Sequence, residues 1–317
     1  MASKKPVKKN QPNKANKSSK TRQPSKLGLW VAGARLRTLP LAVAPVAIGA
    51  GAAAGVQAFD LWLSVAALSV ALLLQIGVNY ANDYSDGVRG TDDFRVGPTR
   101  LTASKLVPAS AVKRAAFISF GLAAAIGLVI VLVTQSWALL ALGAVAIVAA
   151  WFYTGGKRPY GYAGLGEVVV FVFFGPVAAA GTAYIQIGAL DNNSLVGGAA
   201  AGFWAAAVLM VNNIRDREQD ALAGKRTLAV KLGARGSKIA YALLVLLPFA
   251  LLVPFAMLYP ATWATWLTLL FALPLVLIVS TAKTVGELLL ALKLTSYGAL
   301  AYGILLGLGL YRISNLF

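Results

Sequence analysis

The chain contains no cysteine and no histidine, and only 11 of its 317 residues are acidic. Without cysteine there is no disulfide and no thiolate nucleophile or ligand. Without histidine there is no His-ligated haem, no His-containing zinc site and no imidazole base for a serine triad. Any metal must therefore sit on oxygen, which favours a hard ion, Mg²⁺ or Mn²⁺. The GxxxxGK[ST] loop of nucleotide-binding proteins is also missing. Charged residues make up 13% of the chain against 58% hydrophobic, a balance foreign to soluble globular domains.

What is present is apolar and long. Nine runs approach the ~20 residues needed to cross a ~30 Å hydrocarbon core. They lie near 38–57, 61–82, 112–134, 136–153, 166–188, 196–213, 238–258, 262–282 and 294–314. The third and fourth nearly fuse, as do the seventh and eighth, so eight spans is the alternative count. Spanning segments must satisfy their own backbone in lipid. The expected fold class is therefore all-α: a multi-pass integral membrane protein of about nine transmembrane helices around a central cavity. Gly- and Ala-rich stretches such as Ile48 to Gly55 suit close helix packing.

Residues 28–317 make up this membrane-embedded domain, and residues 1–27 a basic tail ahead of it. Nine Lys and Arg and no acid fall in 1–26, without apolar periodicity, so the tail is expected to be disordered. It is too polar to open a signal peptide. The remaining basic residues set orientation. Arg35 and Arg37 precede the first run, and Arg89, Arg95, Arg100, Lys105, Lys113 and Arg114 separate the second and third. Lys157 and Arg158 follow the fourth, seven more lie in 215–238, and Lys283 and Lys293 precede the ninth. The opposite loops carry Asp60 and Asp191 and no Lys or Arg. The positive-inside rule then places the N-terminus and all these basic loops in the cytoplasm.

Seven of the 11 acids fall in two short segments, each at the mouth of an apolar run. The first is Asn82-Asp83-Tyr84-Ser85-Asp86-Gly87-Val88-Arg89-Gly90-Thr91-Asp92-Asp93, and the second is Asn212-Asn213-Ile214-Arg215-Asp216-Arg217-Glu218-Gln219-Asp220. A carboxylate at bilayer depth costs roughly 2.5–3.5 kcal/mol on insertion scales, so such clusters point to function. Asn82 and Asp86 stand at i and i+4 and share a helix face, as do Asn212, Asp216 and Asp220. Gly87 and Gly90 are expected to turn the chain so that Asp92 folds back beside Asp86. Each segment then offers one amide and two carboxylates, an oxygen set for one Mg²⁺ that takes its other ligands from water and a phosphate substrate. Arg89, Arg95, Arg100, Lys157, Arg158, Lys225 and Arg226 are candidates for the outer phosphate oxygens. The competing reading, acids paired with loop cations on a solvated surface, is weakened by the matching Asn-x-x-x-Asp starts after two matching spans. A cation-coupled transporter would also carry buried carboxylates, but its sites lie nearer the midplane.

The paired Asn-x-x-x-Asp segments, closing spans two and six of nine, resemble those of the UbiA superfamily of intramembrane prenyltransferases. The pattern Asn82-Asp83-Tyr84-x-Asp86-Gly87-x-x-Gly90-x-Asp92 departs from the usual third acid at position 90. In that form it resembles the branch acting on 1,4-dihydroxy-2-naphthoate in menaquinone synthesis. Ala34-Arg35-Leu36-Arg37-Thr38-Leu39-Pro40, Arg95-Val96-Gly97-Pro98 and Gly224-Lys225-Arg226-Thr227-Leu228-Ala229-Val230 are similar to that branch too. Tyr153-Thr154-Gly155-Gly156-Lys157 resembles the superfamily's Tyr-x-x-x-Lys loop. The similarity covers everything after the tail.

The resemblance implies a Mg²⁺-dependent enzyme of the bacterial plasma membrane with its active site facing the cytoplasm. Its substrates would be a polyprenyl diphosphate and dihydroxynaphthoate, its product demethylmenaquinone after loss of CO₂ and diphosphate. Membrane lipid is an expected partner and nucleic acid is not. Asn82, Asp86 and Asp92 would hold one Mg²⁺, and Asn212, Asp216 and Asp220 a second. Lys157, Lys225, Arg226 and Arg100 would contact phosphate. Arg35 or Arg37 would bind the acceptor carboxylate, or else anchor the interface. Asp83 would be the base for a phenolic proton, or pair with a loop arginine. Tyr84, Tyr153 and Tyr160 would line the cavity or belong to an interfacial belt. 4-Hydroxybenzoate is the alternative acceptor.

Overall fold

A computed structural model describes residues 25–91 and 100–312. The expectations for the tail up to residue 24, for Asp92, Arg95 and the rest of 92–99, and for 313–317 lie outside those residues. Helix α1 (Lys26–Ala34) starts on Ser25, whose Oγ accepts the Gly28 N–H at 3.1 Å. The boundary expected after residue 27 thus falls inside a helix. At Arg35 the backbone is left-handed (φ 54°), and a 3₁₀ turn, Leu36–Thr38, leads into α2 (Pro40–Gly55). The segment before α2 is bent from it by 49°. Pro40 opens α2 where a missing N–H costs nothing.

Helix α3 (Leu61–Arg89) is capped by Asp60, whose Oδ1 accepts the Leu63 N–H at 2.8 Å. After it come α4 (Ala109–Thr134), α5 (Ala138–Phe152) and α6 (Gly166–Val172). A π turn at Phe173–Val177, around Pro176, joins α6 to α7 (Ala178–Ile187). Asp191 caps α8 (Asn192–Leu222), accepting the Ser194 N–H at 2.6 Å. The two acids of the expected outer loops are thus N-caps. The chain ends in α9 (Leu228–Leu258), a 3₁₀ stretch Pro260–Thr268, α10 (Leu269–Thr281) and α11 (Val285–Tyr311), which opens on a Thr284–Glu287 capping box.

Among the described residues seven helical stretches are long and apolar enough to cross a membrane, or eight with the bent α1–α2 pair. The expected span that falls short is the fourth, α5, whose 15 residues reach only ~22 Å at 1.5 Å per residue, less than a ~30 Å core.

The broadest packing pairs are α3 with α4, α2 with α11, and α8 with α9. Between α2 and α11 the backbones touch. A Cβ on Gly51 would stand 2.1 Å from the Gly307 carbonyl oxygen, and one on Gly303 would stand 2.6 Å from the Ala44 Cα. Lipid tails supply no hydrophobic drive between helices, so such close contact is what holds them. Trp204, Tyr241 and Tyr302 fill the larger core. The two tyrosine hydroxyls are satisfied inside it, Tyr241 with Thr295 Oγ1 at 2.7 Å and Tyr302 with the Pro248 carbonyl at 2.8 Å. A smaller core of Leu29, Tyr80, Leu101 and Phe120 joins α1, α3 and α4. A cavity of about 820 Å³ is lined by α1 through α8 and by α11.

Candidate active site

Both acidic segments continue the helices that precede them. Helix α3 runs unbroken through Asp86 and Gly87 to Arg89 and turns only at Gly90, where φ is 73°. Of the two expected turn glycines, Gly87 therefore stays helical. Helix α8 likewise carries Asn212, Asp216 and Asp220 on one continuous helix. Asn82, Asp83, Asp86, Asn212, Asp216 and Asp220 all line the one cavity.

Lys225 draws the two segments together. Its Nζ lies 3.5 Å from Asp86 Oδ1 and 3.8 Å from Asp220 Oδ1, with the side chain almost wholly buried. A single cation position is thus within reach of carboxylates from both segments. Arg215 does similar work on α8. It pairs with Asp216 at 2.7 and 2.6 Å through Nε and Nη2, and Nη2 also donates to Asn212 Oδ1 at 2.8 Å.

The glycine-rich stretch after α5 closes over the first segment. Thr154 Oγ1 donates to Asn82 Oδ1 at 2.8 Å, and the Arg89 guanidinium donates to the carbonyls of Thr154 and Gly156. The Tyr162 hydroxyl donates to Asp86 Oδ1, while the ring receives Lys225 at 4.7 Å and Arg89 at 5.4 Å. Burial, and then the Asp86 charge, push the Tyr162 phenol above its ordinary value, so it stays a donor. The same loop holds the second segment's exit, since the Arg226 N–H donates to the Tyr162 carbonyl at 2.8 Å. The Lys231 ammonium also bonds the Ala163 carbonyl, at 2.6 Å.

The other sequence candidates divide by place. Arg35, Arg37, Arg100, Tyr153, Tyr160 and Lys225 line the cavity. Lys157 and Arg226 are exposed and outside its lining. Arg35 Nη2 and Gln75 Oε1 are buried without a hydrogen-bond partner. Asp83 is 1% exposed and accepts the backbone N–H groups of Leu101 and Thr102. Sequence reasoning passed over Tyr162, Thr154, Gln75 and the pairing role of Arg215. It also passed over Glu167, which is buried and accepts from Asn213 Nδ2 at 2.9 Å. Tyr162 had a signal, two residues beyond Tyr160 in the same glycine-rich stretch. Thr154, Gln75 and Glu167 are single polar residues whose partners are distant in sequence, whereas Arg215 finds its partners on its own helix, at Asp216 and Asn212.

The donor set is oxygen throughout, which suits a hard divalent ion. Among the described residues no three acids converge tightly enough to enclose an ion by themselves. Such a site fits Mg²⁺, which keeps waters and shares a phosphate substrate, better than Ca²⁺, which wants a fuller protein cage.

The model of the UbiA prenyltransferase family matches residues 42–286. A Mycobacterium tuberculosis protein named 1,4-dihydroxy-2-naphthoate octaprenyltransferase is 54% identical over 212 residues, 67% of this chain and 72% of that one. Its namesake in Mycobacterium leprae is 49% identical over 217 residues, 68% and 74% of the two chains. Among solved structures, a UbiA homologue from Archaeoglobus fulgidus bound to GPP and Mg²⁺ superposes with a TM-score of 0.64, over 87% of this chain and 98% of that one. At 16% identity, that likeness speaks for the fold alone.

Proposed function

The chain belongs to the UbiA prenyltransferase family, and from that premise we propose that it transfers a polyprenyl chain from its diphosphate to 1,4-dihydroxy-2-naphthoate. The allylic C–O bond breaks, a ring carbon takes the prenyl group, and the carboxyl group leaves as CO₂. The products are diphosphate and demethylmenaquinone in its quinol form. The observation that carries this reading is the 54% identity to a relative named for that reaction. The Asn82-to-Asp92 pattern, with glycine at position 90, agrees with it.

Mg²⁺ would be held by Asn82, Asp86 and Asp92 on one side and by Asn212, Asp216 and Asp220 on the other, with Mn²⁺ as a substitute; it would supply charge stabilisation to the leaving diphosphate. The chain's own residues do the rest. Lys225, already between Asp86 and Asp220, and Arg100 place positive charge where the diphosphate develops its negative charge. Tyr162 and Thr154 hold Asp86 and Asn82 in position. The unpartnered Arg35 Nη2 and Gln75 Oε1 offer a donor and an acceptor to the naphthoate's carboxylate and hydroxyl. The cavity's apolar walls take the prenyl tail and keep water from a cationic centre. The basic loops argue for a site opening on the cytoplasmic face of the bacterial plasma membrane.

The test is an assay of purified protein with octaprenyl diphosphate and Mg²⁺, comparing dihydroxynaphthoate with 4-hydroxybenzoate. Prenylated naphthol is expected from the first alone. Product from the benzoate alone would overturn the acceptor assignment.

A further inference from the structure

Asp83 directly follows a proposed ligand, yet both its oxygens are taken up by backbone. The Leu101 N–H donates to Oδ2 at 2.9 Å and the Thr102 N–H to Oδ1 at 2.8 Å, and the side chain is 1% exposed. Two successive amides on one carboxylate make an anchor for the turn they belong to. The helix surface one turn further on is cut back for the same turn. A Cβ on Gly87 would stand 2.5 Å from Thr102 Cβ and 3.1 Å from the Ala103 nitrogen. Leu101, 1% exposed, packs its Cδ1 against Gly33, where a Cβ would lie 2.6 Å away. Gly33 stands two residues before Arg35, and Arg100 immediately precedes Leu101. Both arginines line the cavity.

We infer that Asp83 is a positioning residue: it ties the Arg100–Thr102 turn to α3 and so sets where Arg100, and through Leu101 the Gly33–Arg35 segment, enter the cavity. It is not the base of the reaction. The inference rests on the proposed function only in taking a polyprenyl diphosphate as the ligand of Arg100.

In Asp83→Asn one acceptor oxygen becomes an NH₂ facing a backbone donor, which loosens the turn. Kinetics of the purified full-length variant should show KM for octaprenyl diphosphate up by about tenfold and kcat within about threefold of the parent. Adding Asp83→Asn to Arg100→Gln should then raise KM no further, because both act through one contact. Gly87→Ala displaces the same turn while leaving Asp83 intact. It should give the same split, and it carries the test alone if Asp83→Asn does not fold. A kcat loss of about 10² or more at unchanged KM in Asp83→Asn would identify a proton acceptor and overturn the inference. So would additive KM effects in the double variant, or an unchanged KM in Gly87→Ala. A parent protein that transfers to no acceptor would count against the proposed reaction instead. The same variants would then be compared by the Kd for octaprenyl diphosphate.

Discussion

At the scale of single residues, charge must be balanced inside an apolar molecule. Asp86, Asp216 and Lys225 are each less than a tenth exposed, a placement that membrane insertion penalises unless the charges meet one another or a ligand. Asp86→Ala and Asp216→Ala should each lower kcat by at least about 10²–10³, while gel filtration in detergent shows a folded protein. Activity near that of the parent in either variant would remove its segment from the site. Tyr162→Phe deletes the donor to Asp86 and keeps the ring under Lys225. Partners behind a ligand typically govern about 10–100-fold in metal affinity, so the Mg²⁺ concentration giving half-maximal rate should rise by about that factor. The acids themselves were legible in the sequence because they are scarce and stand where apolar runs end. Tyr162 and Thr154 were not, since a tyrosine or threonine near a membrane interface has ordinary explanations and only the folded loop brings them to Asp86 and Asn82.

Among the elements, helix identity was easier to read than helix limits. Apolar length located the spanning stretches among the described residues, but it could not see that α3 continues past its apolar run through Asp86 to Arg89, or that α8 continues through the whole second acidic segment. Nor could it show that α5 is short. Gly87 illustrates why. A glycine followed by another three residues on reads locally as a turn, whereas here its missing side chain admits Thr102. The α2–α11 contact makes the same point for packing. Gly307→Val puts side-chain atoms where a Cβ alone would stand 2.4 Å from the Ala47 carbonyl oxygen. Overpacking of this kind costs about 1–3 kcal/mol, and the variant should show a lower Tm in detergent. Gly121 is a helical glycine whose Cβ would meet nothing within 4 Å. Gly121→Ala should hold or raise Tm, by up to about 1 kcal/mol of stability.

For the molecule as a whole, charge is scarce and gathered in the basic loops and the two acidic segments, which is what the proposed orientation and the proposed site both rest on. The chain has no cysteine, so single-cysteine variants can be labelled without a background. Lys157→Cys and Lys283→Cys should react with an impermeant maleimide only from the cytoplasmic side, and Ala58→Cys only from the other; the reverse pattern would invert the topology. The central claim is that segments over a hundred residues apart form one site for a metal–diphosphate complex. Its most direct test is equilibrium binding of octaprenyl diphosphate to purified protein, with Mg²⁺ and with EDTA, in the parent, Asp86→Ala and Asp216→Ala. The account predicts tight binding only in the parent and only with Mg²⁺, lost alike when either segment is altered. Binding that is indifferent to EDTA, or that survives the loss of one segment, would contradict it.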